Sequence, residues 1–299
     1  MPSPRPAPLL ALLVTLALLW AGPAAARTLE AVASFTVLAD MVREVGGDRV
    51  HVISLVGPNG DPHAFEPSPD DARKLKSADV VFISGLGLEG WMNRLITASG
   101  YGGKPVVATT GLRTRGMEED GKQVTDPHAW NSVANAPVYI GNIVRALSAA
   151  DPEGAAAYQA NAARFGAEMQ QLDAYARQQF AGIPPARRKV LTSHDAFGYF
   201  GAAYGVRFLS PVGLSTEGEA SARGVAALIR QIKAEKVQTY FFENSNDPRL
   251  VQQVARATGA EPGGVLFVES LSAPDGLAPT YAAMVRHNVD LMAAAMRKN

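Results

Sequence analysis

Residues 154–180 read GAAAYQANAARFGAEMQQLDAYARQQF, and this stretch decides the architecture. Its apolar side chains Tyr158, Ala162, Phe165, Met169, Leu172, Ala176 and Phe180 recur at steps of four and three, which keeps one helical face apolar. Asp151-Pro152 supplies a capping acid and a first-turn proline, and Gly182 with Pro184-Pro185 supplies a stop. At about 1.5 Å per residue the helix runs roughly 40 Å, enough to lie across two compact units. On either side of it, short apolar runs alternate with longer helical stretches, the pattern of βαβ units and parallel sheets. Val50 to Val56, Val80 to Ser84 and Pro105 to Ala108 read as strands before the helix. Val190 to Ser193, Val206 to Leu209, Val237 to Glu243 and Val265 to Phe267 read as strands after it. The expected fold is α/β: two lobes of parallel sheet flanked by helices, residues 27–150 and 183–299, joined by one long rigid interlobe helix within residues 151–182. A continuous helix is stiffer than crossing strands, so large hinge closure is not expected.

The first 26 residues stand apart. Arg5 supplies positive charge, Leu9 to Trp20 is one apolar run, and Ala24-Ala25-Ala26 gives a small-residue cleavage pattern, which together read as a cleavable secretory signal. The apolar run is too short to span a bilayer, which takes about 20 residues. The chain contains no cysteine, so disulfides, thiolate ligands and a cysteine-linked lipid anchor are all excluded from the expectation. Export without a lipid fits a periplasmic location. Charge is balanced at 28 basic and 28 acidic residues, and losing Arg5 with the leader leaves 27 against 28. That balance offers no electrostatic footprint for nucleic acid.

Two of the five histidines fall in near-identical pentads, DPHAF at 61–65 and DPHAW at 126–130. In each, a preceding proline stiffens the turn that carries the imidazole, and an aromatic residue follows two positions on. This makes His63 and His128 candidate ligands held ready on loops. His194 follows the strand ending at Ser193, and in parallel α/β sheets the carboxyl ends of strands face the binding crevice. Ser193-His194-Asp195 contains the ingredients of a catalytic triad, but consecutive side chains do not converge in the geometry a nucleophile and its base require. GLGLEG at 85–90 formally satisfies a dinucleotide fingerprint. The acid expected about 20 positions later is missing and Glu89 would face phosphate, so it reads as a tight strand-to-helix turn. His51 and His287 read as structural, and Glu243, ending a strand, reads as an acceptor that could orient a ligand imidazole.

The segments GPNGDPHAFEPSPDDARKLKSADVVFISGLGLEGWM, DPHAWNSVANA, LTSHDAFGYFGAAYGV, FFENSNDPRL and APTYAAMVRHNVDLM together resemble the zinc- and manganese-type metal-binding solute receptors of bacterial ABC transporters. The resemblance covers nearly the whole chain after the leader. It implies one metal site between the lobes and delivery of the metal to a membrane permease. His63 and His128 fall on two of the family's metal ligands. The third family ligand is histidine in zinc receptors and usually glutamate in manganese receptors, and here His194 stands at that place. The fourth is normally an aspartate before the last helix. Here LFVESLS puts Glu269 there, a departure, with Asp275 in SAPDGLAP as a second candidate.

Three imidazoles and one carboxylate suit Zn²⁺ in a tetrahedral shell, whereas Mn²⁺ prefers more oxygen ligands. The expected function is therefore capture of a transition metal, Zn²⁺ ahead of Mn²⁺, with no catalysis. The alternatives carried are a manganese receptor of the same family and a secreted zinc hydrolase. Partners expected are the permease and, as a further candidate, a periplasmic metallochaperone, with the receptor itself a monomer. The family's histidine-rich loop is replaced by Arg115 to Asp126, which reads as a solvated acidic loop carrying Glu118, Glu119 and Asp120.

Overall fold

The computed structural model describes residues 27–119, 121–213 and 221–299. The expected leader and Asp120 lie outside these residues. The first half is a parallel sheet in the order β2-β1-β3-β4, built from β1 (Leu29–Ala33), β2 (Val50–Ser54), β3 (Val80–Ile83) and β4 (Val106–Val107). The second is a parallel sheet in the order β10-β9-β7-β8, built from β7 (Lys189–Leu191), β8 (Arg207–Leu209), β9 (Thr239–Glu243) and β10 (Glu261–Leu266). Helices connect the parallel strands, as parallel pairing demands. In each sheet the chain leaves the first strand to one side and returns on the other, which opens a crevice beyond the strand carboxyl ends. In the second sheet that switch lies between β7 and β9, so His194 and Glu243, just past or at their ends, flank it.

Two elements depart from the sequence reading. The central strand β1 was not expected, because LEAVA has a charged residue at its second position and no clean period. Its other side chains are buried between helix and sheet. The expected acidic loop at 115–126 contains an antiparallel hairpin, β5 (Gly116–Glu119) with β6 (Lys122–Thr125). Among its described residues only Met117 is buried, so hydrophobic pattern carried almost no signal for it.

The long helix spans Ala155–Ala181 and buries Tyr158, Phe165, Met169, Leu172, Ala176 and Phe180, the expected stripe save for half-buried Ala162. Burying each large side chain contributes roughly 1.5–3 kcal/mol, which is why this helix holds despite its polar remaining faces. Its start is pinned by Asp151, whose carboxylate accepts from the Gly154 N–H, the Tyr158 hydroxyl and Arg49. Its first half bonds to Val45 and Glu44 through Asn161 and Arg164. Its second half meets Tyr204, Asp290 and Arg297 through Asp173, Tyr175 and Gln179. It therefore touches both sheets' surroundings, and one hydrophobic cluster runs continuously from Leu29 to Met296.

Buried hydrogen bonds also stitch the halves directly. The Trp130 indole donates to Val268 O at 2.8 Å, Leu271 N–H donates to Thr36 Oγ1 at 2.8 Å, and Tyr281 N–H donates to Asp40 Oδ2 at 2.7 Å. Burial pushes the Asp40 carboxyl up to about 6, outweighing the bond from Tyr281. A raised folded value means the stabilising, protonated form is present below the unfolded value and is lost as pH rises through about 6. Asp40→Asn keeps an acceptor for Tyr281 and removes the buried charge. We expect it to raise the unfolding free energy at pH 7.5 by about 1–2 kcal/mol, after allowing for the favourable field of the helix that Tyr281 begins. The gap should close by pH 4 in urea titrations, and an equal gap at both pH values would refute the assignment.

Candidate metal centre

The two pentads fold alike for a local reason. Asp61 Oδ1 accepts the backbone N–H of His63 at 2.7 Å, and Asp126 Oδ1 accepts that of His128 at 3.0 Å. Each aspartate thus closes a turn over its proline and presents the histidine two residues on. Both aspartates stand in the repeated motif beside the prolines and aromatics, and the repeat is the signal in the sequence that could have found them. The aromatics act further out. Trp130 is buried with its ring edge-on to His128 at 5.6 Å, and Phe65 packs on Trp91, whose indole donates to Pro62 O at 2.8 Å.

His194 sits one turn beyond β7, bridged to Val212. Glu269 lies in the bend that follows β10 and is fully buried. These four residues, two from each side of the long helix, converge: His63, His128, His194 and Glu269 place one ligand atom each within 4.8 Å of one another. Glu269 Oε1 lies 2.6 Å from His63 Nε2, 3.4 Å from His128 Nε2 and 3.3 Å from His194 Nε2. His63 Nε2 and His128 Nε2 are 3.1 Å apart. Four donors bound tetrahedrally at about 2.0–2.1 Å would stand roughly 3.3 Å from each other, so the cluster has the dimensions of a coordination shell. Asp275, the second candidate for the fourth position, is solvent-exposed and outside the cluster.

The far nitrogens explain why the lone pairs point inward. His128 Nδ1 faces Asp126 Oδ1 at 2.9 Å, and His194 Nδ1 meets Glu243 Oε2 in a close contact. Each carboxylate holds the Nδ1–H tautomer, which leaves the Nε2 lone pair toward the centre. Among the described residues His194 Nε2 and Glu269 Oε1 are buried with no hydrogen-bond partner, an arrangement costly in an interior unless a cation satisfies both. Asp126 is itself gripped by Arg115 Nη1 at 2.7 Å, and Arg115 N–H donates to the Tyr199 hydroxyl.

The electrostatics follow from this crowding. Burial disfavours the His128 cation, but Asp126 and Glu269 outweigh it and raise its affinity for a proton. Burial likewise opposes the His194 cation, and the charges of Glu243 and Glu269 lift it well above the usual imidazole range. Burial would raise Glu269, yet His194 and His63 hold it well below the ordinary carboxylate range. Glu269 is thus anionic throughout the neutral range.

Three residues that sequence reasoning did not single out complete the surroundings, all from the loop after β9. Asn244 Nδ2 donates to Ser270 O at 3.1 Å, Ser245 Oγ donates to Glu269 Oε2 at 3.3 Å, and Asn246 Nδ2 donates to Glu243 Oε2 at 2.7 Å. The decoys resolve as structure. Among the described residues Ser193 Oγ is buried with no partner and His194 is engaged by Glu243, so no triad forms there. Glu89 folds back to accept from Ser34 Oγ, Ser84 N and Gly85 N, filling the turn where a phosphate would have to lie. His51 is exposed and faces Glu30, while His287 is half-buried against Phe267 and Val265 O.

No helix among the described residues is long and apolar enough to cross a membrane. Residues 31–295 match the zinc-uptake complex component A periplasmic family. The iron-binding protein YfeA of Yersinia pestis is 32% identical over 269 residues, 90% of this chain and 86% of that one. The manganese ABC transporter substrate-binding lipoprotein PsaA of Streptococcus anginosus is 30% identical over 279 residues, 90% of each chain. Among solved structures, the periplasmic zinc binding protein TroA of Treponema pallidum superposes with a TM-score of 0.84 at 28% identity, covering 90% of this chain and 99% of that one. With relatives named for iron, manganese and zinc around one two-sheet fold, the chain belongs to the zinc-uptake component A family of metal-binding substrate receptors of ABC transporters.

Proposed function

We propose that the protein is a periplasmic receptor for Zn²⁺, binding it through His63, His128, His194 and Glu269 and delivering it to an ABC import permease. The observation that carries this reading is the convergence of three imidazole Nε2 atoms and one carboxylate oxygen within 4.8 Å. A three-nitrogen, one-oxygen set at tetrahedral spacing suits Zn²⁺, whereas Mn²⁺ and Ca²⁺ favour shells richer in oxygen. The halves 27–150 and 183–299, about the linker 151–182, then contribute two donors each, so the ion sits between them. The charges balance as well. A buried dication meets Glu269 directly and Asp126 and Glu243 across one imidazole ring each, with Arg115 neutralising part of the excess.

A zinc hydrolase would need its fourth position free for water. Glu269 Oε1, within 3.4 Å of all three Nε2 atoms, lies where that water would bind. The reading is therefore capture without bond-making.

The test is elemental analysis of the purified protein followed by competition among Zn²⁺, Mn²⁺ and Fe²⁺ for the apoprotein. Zinc should win by orders of magnitude, and preferential binding of manganese or iron would overturn the choice of metal. Asp126→Asn and Glu243→Gln should each weaken zinc binding by about 10- to 100-fold, the usual effect of releasing a ligand histidine's partner. Titration calorimetry with a competing chelator reads this, and unchanged affinity in both variants would count against the ligand assignment.

A further inference from the structure

Glu269 departs by one methylene from the aspartate this family normally places at the fourth position, and the longer side chain adds a torsion that decides whether one or both oxygens face the cation. The backbone around it leaves no freedom to decide this otherwise. Val268 O accepts from the Trp130 indole and Val268 N–H donates to Asn244 Oδ1. Three residues later, Leu271 N–H donates to Thr36 Oγ1 and Leu271 O accepts from Asn59 N–H. The segment is pinned from both halves of the molecule, so its carboxylate adjusts only by rotating about its own bonds.

Within that fixed frame the two oxygens have different surroundings. Oε1 lies at 2.6–3.4 Å from the three imidazole nitrogens. Oε2 takes the hydroxyl of Ser245 at 3.3 Å. Ser245 in turn stands between Asn244, which holds the Ser270 carbonyl and hydroxyl, and Asn246, which holds Glu243 behind His194. Its position is set by neighbours that serve the same centre.

We propose that Ser245 is a specificity-determining positioning residue: its hydroxyl keeps Glu269 Oε2 turned away, so that the carboxylate offers a single oxygen and the shell stays four-coordinate. This rests on the zinc reading above and deepens it. Zinc accepts four ligands in a tetrahedron, whereas manganese and iron gain from the fifth donor that a chelating carboxylate supplies. Removing the hydroxyl frees Oε2 to swing inward. The selectivity of the site, more than its grip on zinc, then changes.

The experiment compares wild type, Ser245→Ala and Ser245→Thr, using Co²⁺ as the spectroscopic probe and Zn²⁺/Mn²⁺ competition as the second readout. Wild type and Ser245→Thr, which retains a hydroxyl, should show the intense visible bands of four-coordinate Co²⁺. Ser245→Ala should show the weaker bands of higher coordination, and its preference for Zn²⁺ over Mn²⁺ should fall roughly tenfold. Weak, higher-coordinate bands in wild type, or an unchanged spectrum and competition ratio in Ser245→Ala, would overturn the role of Ser245. The wild-type spectrum alone tests it if the alanine variant misfolds. A wild type that prefers Mn²⁺ while its Co²⁺ spectrum still responds to Ser245→Ala would sink the zinc reading and leave the role of Ser245 standing.

Discussion

Glu269→Ala is expected to lower zinc affinity by about two to three orders of magnitude while leaving the fold intact. Structural zinc sites with four ligands bind with about 10–16 kcal/mol, so one ligand in four accounts for roughly 2.5–4 kcal/mol, and each 1.4 kcal/mol is about tenfold. The loss should exceed that of the Asp126 or Glu243 variants, because Glu269 supplies both a donor atom and, among the described residues, the only negative charge in direct reach of all three imidazoles. Glu269→Gln separates the two contributions: it keeps an oxygen near the centre and removes the charge, so its affinity should fall between wild type and alanine. Competition titration against a chelator of known affinity measures this. Binding within threefold of wild type for the alanine variant would remove Glu269 from the shell. The same variant bears on catalysis, since it opens a coordination position to water beside three imidazoles. A receptor so altered should still hydrolyse nothing.

Much of the frame was legible because it is written in periodic form. The helix at 155–181 declares itself by its apolar stripe and its bounding Asp151 and Pro184. The second sheet follows from short β-branched runs, one of which stops just before His194 and another at Glu243. His63 and His128 were legible as candidates because a motif occurs twice. What failed to show had no period. β1 is a five-residue strand interrupted by Glu30, and the hairpin strands Gly116–Glu119 and Lys122–Thr125 fully bury only Met117, so neither leaves a pattern that burial would enforce. Glu243 was legible from its place at a strand end, whereas Asn244–Asn246 reads as ordinary polar sequence, although these three side chains brace Ser270, Glu269 and Glu243 around the centre. Polar loop residues act by where the fold carries them, and that depends on pairing β9 beside β7 and β10. Glu269 was reached by resemblance alone. No local spacing relates it to the histidines, 75 to more than 200 residues away along the chain.

Zinc affinity should fall steeply on acidification, starting above the ordinary imidazole value of about 6.5. His128 and His194 both hold protons more tightly than free imidazole in the metal-free protein, His194 strongly so, because Glu243, Asp126 and Glu269 surround them. Those protons must leave before Nε2 can bind a cation, so binding releases them, and affinity drops by up to about two decades per pH unit once both are held. Calorimetry in buffers of different ionisation enthalpy should count more than one proton released per zinc near pH 6.5. The metal-free fold responds with the opposite sign. A histidine raised in the folded state contributes stability that is full below the unfolded value and is lost as pH rises through the folded one. Mild acid therefore favours the metal-free protein through His128 and His194, while Glu269, held low, keeps its contribution until pH falls through its depressed value. Zinc-induced stabilisation in thermal melts should shrink from both sides between pH 7.5 and 5.5: the bound form loses affinity as the free form gains internal ion pairs. Equal affinity at those two pH values, with no protons released, would show that the three imidazoles do not bind the metal through the nitrogens that meet here.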